Sequence, residues 1–489
     1  MSASYENLDR LYLAGAWHRR AETAPVRNPY TGETLLEVSL ASRDDVDEAF
    51  RAAEAAQQDW MAQPPQARAG VLAAAAALME QREDEIIGWL VRESGSTRTK
   101  AALEVKSAIG ITREAASFPL RMEGLLLPSV TPGKENRVYR EPLGTVGVIS
   151  PWNFPFHLAL RSVAPALGAG NGVVVKPALE TPVSGGTLIA ALFEEAGLPP
   201  GLLAVVNGPG ADVGDAVVRH PAPRAISFTG STEVGRQIAE TAGKSLKYVE
   251  LELGGNNALV VLPDADLERA AQAAAFGKFL HAGQICIAVN RILVHEDVHD
   301  AFVARFVGVV RGLKVGNPDD PETLVGPLIN QDQFDSVQEI LRQTLAAGAE
   351  IAYEGETEGL VMGPVVLTGV RQDMPAAERE IFGPVAPVLR FASEDEAVEI
   401  ANATPYGLSG AVFAGDLMRG QALARRIRSG MVHVNDMSVN DEPHVAFGGL
   451  GASGLGRFGG QWALEAFTTV RWVSVQHEAR AYPLHGLSG

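Results

Sequence analysis

Cys286 is the only cysteine among the 489 residues, and it stands in the run GQICI. A thiolate is the strongest nucleophile among side chains near neutral pH, so this residue could attack an electrophilic carbon. Taken alone, such a cysteine is more simply interpreted as a small buried hydrophobe. Two other runs favour the chemical interpretation: PWNFP at 151–155 and LELGG at 251–255.

These two runs contain an amide and a carboxyl group that could assist a nucleophile. Asn153 directly follows the strand-like run GTVGVIS, and open α/β sheets bind ligands where their strands end. Its amide could donate a hydrogen bond to an oxyanion, although an Asn between prolines is also typical of a turn. Glu252 lies in the apolar run VELELGGNN, and burial would raise the pKa of its carboxyl into the range of a general base. Glu250 shares the same strand face, so either glutamate could be merely structural.

A third group of residues has the pattern of a nucleotide site. Gly230 and Gly235 lie in FTGSTEVG, where a strand runs into a helix whose N-terminus could face a pyrophosphate. The run lacks the Lys-Ser/Thr of a P-loop and is weak evidence by itself. Lys176 ends the run VVVKPA and could reach a ribose or a phosphate, or be a solvated strand-end lysine. The run GPGADVG at 208–214 is predicted to be a loop.

Alternating strands and helices would position these residues. Residues 1–25 predict edge strands, and residues 44–120 have helical spacing with Asp44 as the expected N-cap. From residue 144 short β-branched runs alternate with helical stretches, which predicts βαβ units and a parallel sheet. A second α/β region extends from 253 to about 430. The sequence therefore predicts an α/β protein of two or three domains.

Composition limits the class of protein. The net charge of -18 disfavours nucleic acid and anionic membranes as partners. A single cysteine forms no intrachain disulfide, which favours a reducing cytoplasm. The sequence has no signal-peptide pattern, no apolar stretch near the ~20 residues of a membrane span and no cluster with metal-ligand spacing. We therefore expect a cytoplasmic protein that binds neither a metal nor a membrane.

Together the motifs resemble the aldehyde dehydrogenase superfamily, in the family's order along nearly the whole chain. They are NPYTGE, PWNFP, VVVKP, FTGSTEVG, LELGG, GQIC, EIFGPV and AFGGLGASGLGRFGG. The resemblance implies a Rossmann-like NAD(P)-binding domain from 1–127 and 144–252 and a catalytic domain over 253–440. It also implies a small β flap, from 128–143 and 470–489, that assembles dimers or tetramers.

The resemblance also implies roles for individual residues. Cys286 would attack the aldehyde, Asn153 and the backbone N–H of Cys286 would hold the oxyanion, and Glu252 would activate the water that hydrolyses the thioester. The presence of Glu252 favours hydrolysis over transfer of the acyl group to coenzyme A. The implied cofactor-binding residues are Ser150, Trp152, Lys176, Leu179, Gly230, Ser231, Gly235, Glu380 and Phe382.

One cofactor position departs from the family pattern. Many NAD-preferring members carry a Glu three residues after the lysine, where it accepts the ribose 2′-OH and would repel a 2′-phosphate. Leu179 stands there in this chain, with Glu180 beside it. We therefore expect NADP to be accepted and possibly preferred to NAD, unless Glu180 takes over the missing role.

The run PWNFPFHLALRSVAPALGAGN resembles the branch that acts on benzaldehyde, hydroxybenzaldehyde, vanillin and salicylaldehyde. The implied substrate residues are Leu158, Arg161, Ile285, Ile287 and Ser438, with Phe154, Met437 and Val439 lining the rest of the tunnel. Arg161 could donate to a ring hydroxyl or methoxy group, or instead pair with a carboxylate. The alternative substrates are aliphatic aldehydes or semialdehydes. A non-catalytic relative would be expected to lack Cys286, Glu252 or Asn153.

Overall fold

The computed structural model describes residues 5–482. Within this range lie twenty strands: β1 (Leu11–Leu13), β2 (Ala16–His18), β3 (Thr23–Arg27), β4 (Thr34–Ser39), β5 (Leu125–Leu127), β6 (Lys134–Pro142), β7 (Thr145–Ile149), β8 (Gly172–Lys176), β9 (Leu203–Val205), β10 (Ala225–Thr229), β11 (Tyr248–Glu252), β12 (Ala258–Val261), β13 (Arg291–His295), β14 (Glu350–Glu354), β15 (Val365–Thr368), β16 (Val385–Phe391), β17 (Gly410–Phe413), β18 (His433–Val434), β19 (Gly454–Leu455) and β20 (Thr468–Gln476).

The same range contains fifteen α-helices: α1 (Arg43–Ala62), α2 (Pro65–Gln81), α3 (Glu83–Ser94), α4 (Arg98–Ala116), α5 (Pro155–Gly168), α6 (Leu188–Glu195), α7 (Asp215–Arg219), α8 (Thr232–Gly243), α9 (Leu267–Phe279), α10 (His299–Arg311), α11 (Gln331–Ala346), α12 (Pro375–Glu378), α13 (Glu394–Asn402), α14 (Leu417–Ala424) and α15 (Gly460–Ala466). Among these described helices, none combines the length and the apolar character that a transmembrane span requires.

The first sheet has eight strands in the order β19-β11-β10-β7-β8-β9-β1-β2. The strands β11, β10, β7, β8 and β9 run parallel, and antiparallel strands close both ends. Every residue of β7 and β8 is buried, as expected for strands covered on both faces, because helices connect parallel strands. The carboxyl ends of β7, β8 and β10 therefore meet at one edge of the sheet.

A second sheet of seven strands has the order β14-β15-β16-β13-β12-β17-β18 and its own apolar core. It is parallel apart from the pairing of β14 with β15. A third, antiparallel sheet, the flap sheet, consists of β20, β6 and β5. The α/β fold predicted from the alternating pattern is thus confirmed.

Three local predictions were wrong. Ser42, and not Asp44, is the N-cap of α1, because Ser42 and Asp45 form a reciprocal capping box. The segment Gly210–Gly214, predicted as a loop, is a short π-helix. β1 is not an edge strand, since it pairs with both β2 and β9.

The flap sheet differs from its predicted extent in one detail. β5 lies before the predicted boundary at residue 128, and it pairs with β6 as the first strand of a hairpin. β20 pairs with β6 along nine residues, from Thr468↔Pro142 to Gln476↔Lys134. Residues 1–4 and 483–489, which the domain predictions include, lie outside the described residues.

Candidate active site

A cleft of about 840 Å³ lies at the carboxyl edge of the first sheet. We call it the sheet-edge cleft. Ser150 follows β7, Lys176 ends β8 and Gly230 follows β10, so parallel strands bring residues distant in sequence to one place. Five of the nine predicted cofactor residues line this cleft: Ser150, Trp152, Lys176, Leu179 and Gly230.

The N-terminus of α8 borders the sheet-edge cleft. Ser231 is its N-cap, and the Ser231 hydroxyl accepts a hydrogen bond from the backbone N–H of Val234. Gly235, also predicted to bind the cofactor, does not line the cleft and packs against Leu253. A Cβ at Gly235 would lie 2.4 Å from Leu253 Cδ2, so glycine is required there for close packing of the helix.

The donor groups of the sheet-edge cleft suit an anionic, hydroxyl-rich ligand. Burial lowers the pKa of Lys176 to about 8, and Glu180 opposes this shift. The Ser150 hydroxyl is buried and has no hydrogen-bond partner among the described residues. A lysine, an unsatisfied hydroxyl and a helix N-terminus together fit the phosphates and riboses of a dinucleotide.

A second, smaller cavity of about 280 Å³ opens beside Cys286. We call it the Cys286 cavity. Of the predicted residues, it is lined by Asn153, Phe154, Leu158, Arg161, Ile285, Cys286, Ile287, Met437 and Val439. Sequence reasoning missed eight further lining residues, which are Leu103, Ser107, His157, Phe276, Leu280, Asn440, Asp441 and Phe447. The cavity is therefore mainly apolar and aromatic, with one polar side.

Ser438, predicted to contact the substrate, does not line the Cys286 cavity. Its hydroxyl donates to the carbonyl oxygen of Ile287 at 2.7 Å, and its own carbonyl accepts from the Ser409 hydroxyl at 2.8 Å. The side chain is fully buried. Ser438 thus holds the backbone next to Cys286 instead of facing the cavity.

Consecutive residues of the PWNFP run join the two spaces. Trp152 lines the sheet-edge cleft, whereas Asn153 and Phe154 line the Cys286 cavity. Phe382 packs edge-on against Trp152 with ring centroids 5.5 Å apart. Glu380 accepts a hydrogen bond from the backbone N–H of Gly255 at 3.0 Å. The predicted residues Glu380 and Phe382 therefore lie next to these two spaces, although they do not line the cleft itself.

Asn153 is held firmly between two elements. Its Nδ2 donates to the carbonyl oxygen of Gln284 at 2.9 Å, and its own carbonyl accepts from Lys100 Nζ at 2.6 Å. An amide nitrogen carries two hydrogens, so Asn153 keeps one donor for a ligand in the Cys286 cavity. The residue is 4% exposed, which limits competition from water.

Cys286 follows a backbone segment with unusual torsion angles. His281 and Ala282 have φ of 52° and 53°, which is rare for residues other than glycine. The Asn257 amide donates to the carbonyl oxygen of Cys286 at 2.8 Å, and a Cβ at Gly255 would lie 2.5 Å from that oxygen. The glycines of the LELGG run therefore allow this loop to pack directly against the cysteine.

The surroundings of the Cys286 thiol disfavour its ionised form. Burial, and then the charges of Glu252 and Glu380, raise its pKa to about 12. Arg161 and the backbone N–H of Ile287 oppose the shift. Nucleophilic attack thus requires removal of the thiol proton, and Glu252 is the charged group that influences this thiol most.

Glu252 ends β11 and is 2% exposed. Burial raises the pKa of its carboxyl to about 8, while Arg161 and Arg457 lower it. Both carboxyl oxygens lack a hydrogen-bond partner among the described residues. The pKa of Glu250, on the same strand, is also raised by burial, to about 7. Glu252 therefore has the environment of a general base, although it lines neither of the two spaces.

A charged pair forms the polar side of the Cys286 cavity. Arg161 Nη2 donates to Asp441 Oδ2, and His157 Nε2 lies 3.1 Å from the same oxygen. The Arg161 guanidinium also stacks over the Phe447 ring at 3.9 Å. Of the two alternatives for Arg161, the structure establishes the carboxylate pair, but Nη1 of Arg161 is buried and has no partner among the described residues.

No group of three or more His, Cys, Asp or Glu side chains in residues 5–482 is arranged to hold a metal ion.

Comparison with known proteins identifies the family. The model of the aldehyde dehydrogenase family matches residues 17–473. A benzaldehyde dehydrogenase of Bacillus subtilis is 51% identical over 481 residues, which is 98% of this chain and 99% of that protein. A vanillin dehydrogenase of Corynebacterium glutamicum is 52% identical over 451 residues, covering 92% and 93% of the two chains. The crystal structure of an NAD-dependent benzaldehyde dehydrogenase from Corynebacterium glutamicum superposes with a TM-score of 0.89 at 46% identity, covering 97% and 100%.

Proposed function

The chain belongs to the aldehyde dehydrogenase family, and from this premise we propose that it oxidises an aromatic aldehyde to the carboxylic acid with NAD(P)+. The observation that carries the proposal is the junction at residues 152–154. At this junction the sheet-edge cleft, which suits a dinucleotide, meets the Cys286 cavity. The cavity is apolar and has a size that suits one aromatic ring. The relatives named above act on benzaldehyde and vanillin, which are planar aromatic aldehydes.

Cys286 is the proposed nucleophile. Its thiol first gives its proton to water in the Cys286 cavity; the sulfur then attacks the carbonyl carbon of the aldehyde, a C–S bond forms, and the π-electron pair moves to the oxygen. The free N–H of the Asn153 amide and the backbone N–H of Cys286 stabilise the oxyanion, because donors held in place before the reaction stabilise charge as it develops. A nicotinamide held in the sheet-edge cleft would supply the acceptor for the hydride, and loss of that hydride would bring the carbon to the oxidation level of a thioester.

Glu252 is the proposed general base for hydrolysis. Its carboxylate removes a proton from water as the water attacks the thioester carbon; the C–S bond then breaks, releasing the acid and the Cys286 sulfur. Its two unpartnered oxygens leave room for a hydrogen bond to that water. A base with a raised pKa suits this proton transfer near neutral pH.

The sheet-edge cleft is the proposed cofactor site. Ser150, Lys176 and the N-terminus of α8 would hold riboses and phosphates, with Trp152, Gly230 and Ser231 beside them. Glu380 and Phe382 would lie next to the nicotinamide end, because Phe382 packs on Trp152. We propose that NADP is accepted, since Leu179 places no carboxylate in the cleft wall, although Glu180 also lines it.

The polar side of the Cys286 cavity favours ring substituents. Arg161 Nη1 lacks a protein partner and can donate to a hydroxyl or methoxy oxygen on the ring. Phe154, Leu158, Ile285 and Ile287 supply apolar walls for the ring itself. The alternative function is the oxidation of aliphatic aldehydes or semialdehydes by the same chemistry. Such substrates would fit the aromatic walls of the cavity less well.

Two further features complete the proposal. The flap sheet exposes apolar side chains, including Leu126 at 75% and Trp472 at 68%, so we propose that it pairs with a second copy of the chain in a homo-oligomer. A single free cysteine that must stay reduced is consistent with a cytoplasmic enzyme.

The test measures reduced cofactor formed from benzaldehyde, 4-hydroxybenzaldehyde, vanillin, propanal and succinic semialdehyde, each with NAD and with NADP. The proposal predicts the highest kcat/KM for the aromatic aldehydes. Preference for propanal or succinic semialdehyde would contradict it. In the same series, Arg161→Ala should lose more activity on hydroxylated than on unsubstituted benzaldehyde, and an equal loss on both would refute the role of Arg161.

A further inference from the structure

We propose that Asp441 sets the charge selectivity of the Cys286 cavity: it neutralises Arg161 and so excludes aldehydes that carry a carboxylate. This inference rests on the proposed function and adds a specificity-determining residue to it. Asp441 comes from a loop that is far from Arg161 in sequence, yet the two side chains meet at the wall of the cavity.

The contacts of Asp441 fix both its own position and that of its partners. One of its oxygens, Oδ2, accepts from Arg161 Nη2 and lies 3.1 Å from His157 Nε2. His157 and Arg161 are one turn apart on α5, so both point to the same side of that helix. All three side chains line the Cys286 cavity, and Phe447 covers the guanidinium face.

The charges of this wall cancel. Burial alone would raise the pKa of Asp441, but Arg161 and His157 lower it overall, so the carboxyl is ionised at neutral pH. Burial and the neighbouring Arg161 lower the pKa of His157, which keeps its ring neutral. One guanidinium and one carboxylate then give a net charge of zero.

A cavity wall that is polar but carries no net charge should favour neutral ring substituents over charged ones. The unpartnered Nη1 of Arg161 can still donate one hydrogen bond to a neutral oxygen. A carboxylate entering the cavity would lose its hydration and find an arginine whose charge is already matched by Asp441. Burying an ion without net compensation is unfavourable, so such substrates should be excluded.

Removal of the Asp441 charge should convert this wall into an anion site. Asp441→Asn keeps an oxygen that can accept from Arg161 but leaves the guanidinium charge uncompensated. The measured quantity is the ratio of kcat/KM for 3- and 4-carboxybenzaldehyde to kcat/KM for benzaldehyde, at one pH and with one cofactor. Because both substrates are measured with the same variant, any effect of the substitution on Cys286 or Glu252 cancels in this ratio.

The expected result is a ratio below 0.01 in the wild type and an increase of tenfold or more in Asp441→Asn for at least one carboxylated substrate. The matched control is Glu442→Gln, which removes the same charge from a neighbouring, exposed carboxylate. Its ratio should stay within twofold of the wild type.

Several outcomes would overturn the inference: an unchanged ratio in Asp441→Asn, an equal rise in Glu442→Gln, or efficient oxidation of carboxybenzaldehydes by the wild type. Efficient oxidation of carboxybenzaldehydes by the wild type would overturn the inference even if Asp441→Asn fails to fold. These outcomes leave the proposed function intact when the wild type oxidises benzaldehyde. A wild type that prefers aliphatic aldehydes instead contradicts the proposed function.

Discussion

Lys100 Nζ donates a hydrogen bond of 2.6 Å to the backbone carbonyl of Asn153, so a buried lysine of α4 holds the residue whose amide faces the Cys286 cavity. The same ammonium pairs with Glu104 and lies 4.0 Å from the centre of the Phe154 ring. Glu104 Oε1 in turn accepts from the backbone N–H groups of Phe156 and His157 at 2.9 and 3.2 Å. One ion pair therefore positions the turn that leads into α5.

Lys100→Met should impair both stability and catalysis. Glu104 would keep a buried charge without its partner, which costs about 3–5 kcal/mol of the free energy of unfolding. A displaced Asn153 amide should lower kcat by about 100-fold, because small misplacements of positioned groups have effects of that size. The KM for the cofactor should change little, since Lys100 does not line the sheet-edge cleft. Denaturant unfolding and steady-state kinetics measure the two effects.

The control is Lys106→Met, on the exposed side of the same helix. We expect it to change stability by less than about 0.5 kcal/mol and to leave kcat unaltered. If Lys100→Met kept wild-type kcat while losing stability, the ion pair would be structural only.

The stability of the protein should depend on pH through Glu252. The pKa of this carboxyl is about 8 in the folded protein and near its ordinary 4.5 in the unfolded chain. Between these values the folded state binds more protons, so the contribution of Glu252 to the free energy of unfolding falls as pH rises. Glu252→Gln should therefore become more stable than the wild type from pH 5 to 8, by a few kcal/mol, with a constant difference above about pH 8.

Urea unfolding of both proteins between pH 5 and 9 measures this difference. Glu54→Gln, at an exposed position of α1, supplies the control and should show no such trend. A difference between Glu252→Gln and the wild type that is independent of pH would mean that the buried carboxyl keeps its ordinary pKa.

Leu179→Glu should shift the cofactor preference towards NAD. A carboxylate in the wall of the sheet-edge cleft would repel a 2′-phosphate and could accept a hydrogen bond from a ribose 2′-OH. The ratio of kcat/KM with NADP to kcat/KM with NAD should fall tenfold or more, or about 1.4 kcal/mol. Leu179→Gln, nearly the same shape without the charge, should change the ratio much less. If the two substitutions changed this ratio equally, the change would be due to the shape of the side chain and not to its charge.

Trp472→Glu should dissociate the oligomer that we propose to form through the flap sheet. The tryptophan is 68% exposed in a sheet face rich in apolar side chains, and a buried carboxylate at an interface is strongly unfavourable. Light scattering should give a larger mass for the wild type than for the variant. Leu417→Glu, on α14 and 54% exposed, should keep the wild-type mass. A wild type that is already monomeric would exclude the proposed interface.

Much of the fold could be predicted because it depends on local patterns. β7, β8 and β10 are short β-branched runs between helices, and parallel pairing then places Ser150, Lys176 and Gly230 at one edge. The motif residues beside Cys286 were predicted through their resemblance to a known family, and the family itself is confirmed.

The remaining features depend on contacts that no spacing rule predicts. Asp441 meets Arg161 across 280 positions of sequence, in a loop without a regular pattern. Lys100 and Glu104 have the i,i+4 spacing of an ordinary solvated pair, and only the packing of α4 against α5 buries them. Ser438 was predicted to face the substrate because its neighbours do, but its hydroxyl bonds to the backbone.

We propose that Cys286 carries the acyl group and that Glu252 promotes its hydrolysis. The most direct measurement mixes Glu252→Gln rapidly with benzaldehyde and cofactor, follows the reduced cofactor, and then determines the mass of the peptide that contains the only cysteine. We expect a burst of one reduced cofactor per active site, almost no further turnover, and a benzoyl group on Cys286. Steady turnover at the wild-type rate, or a burst without acylated Cys286, would contradict this proposal.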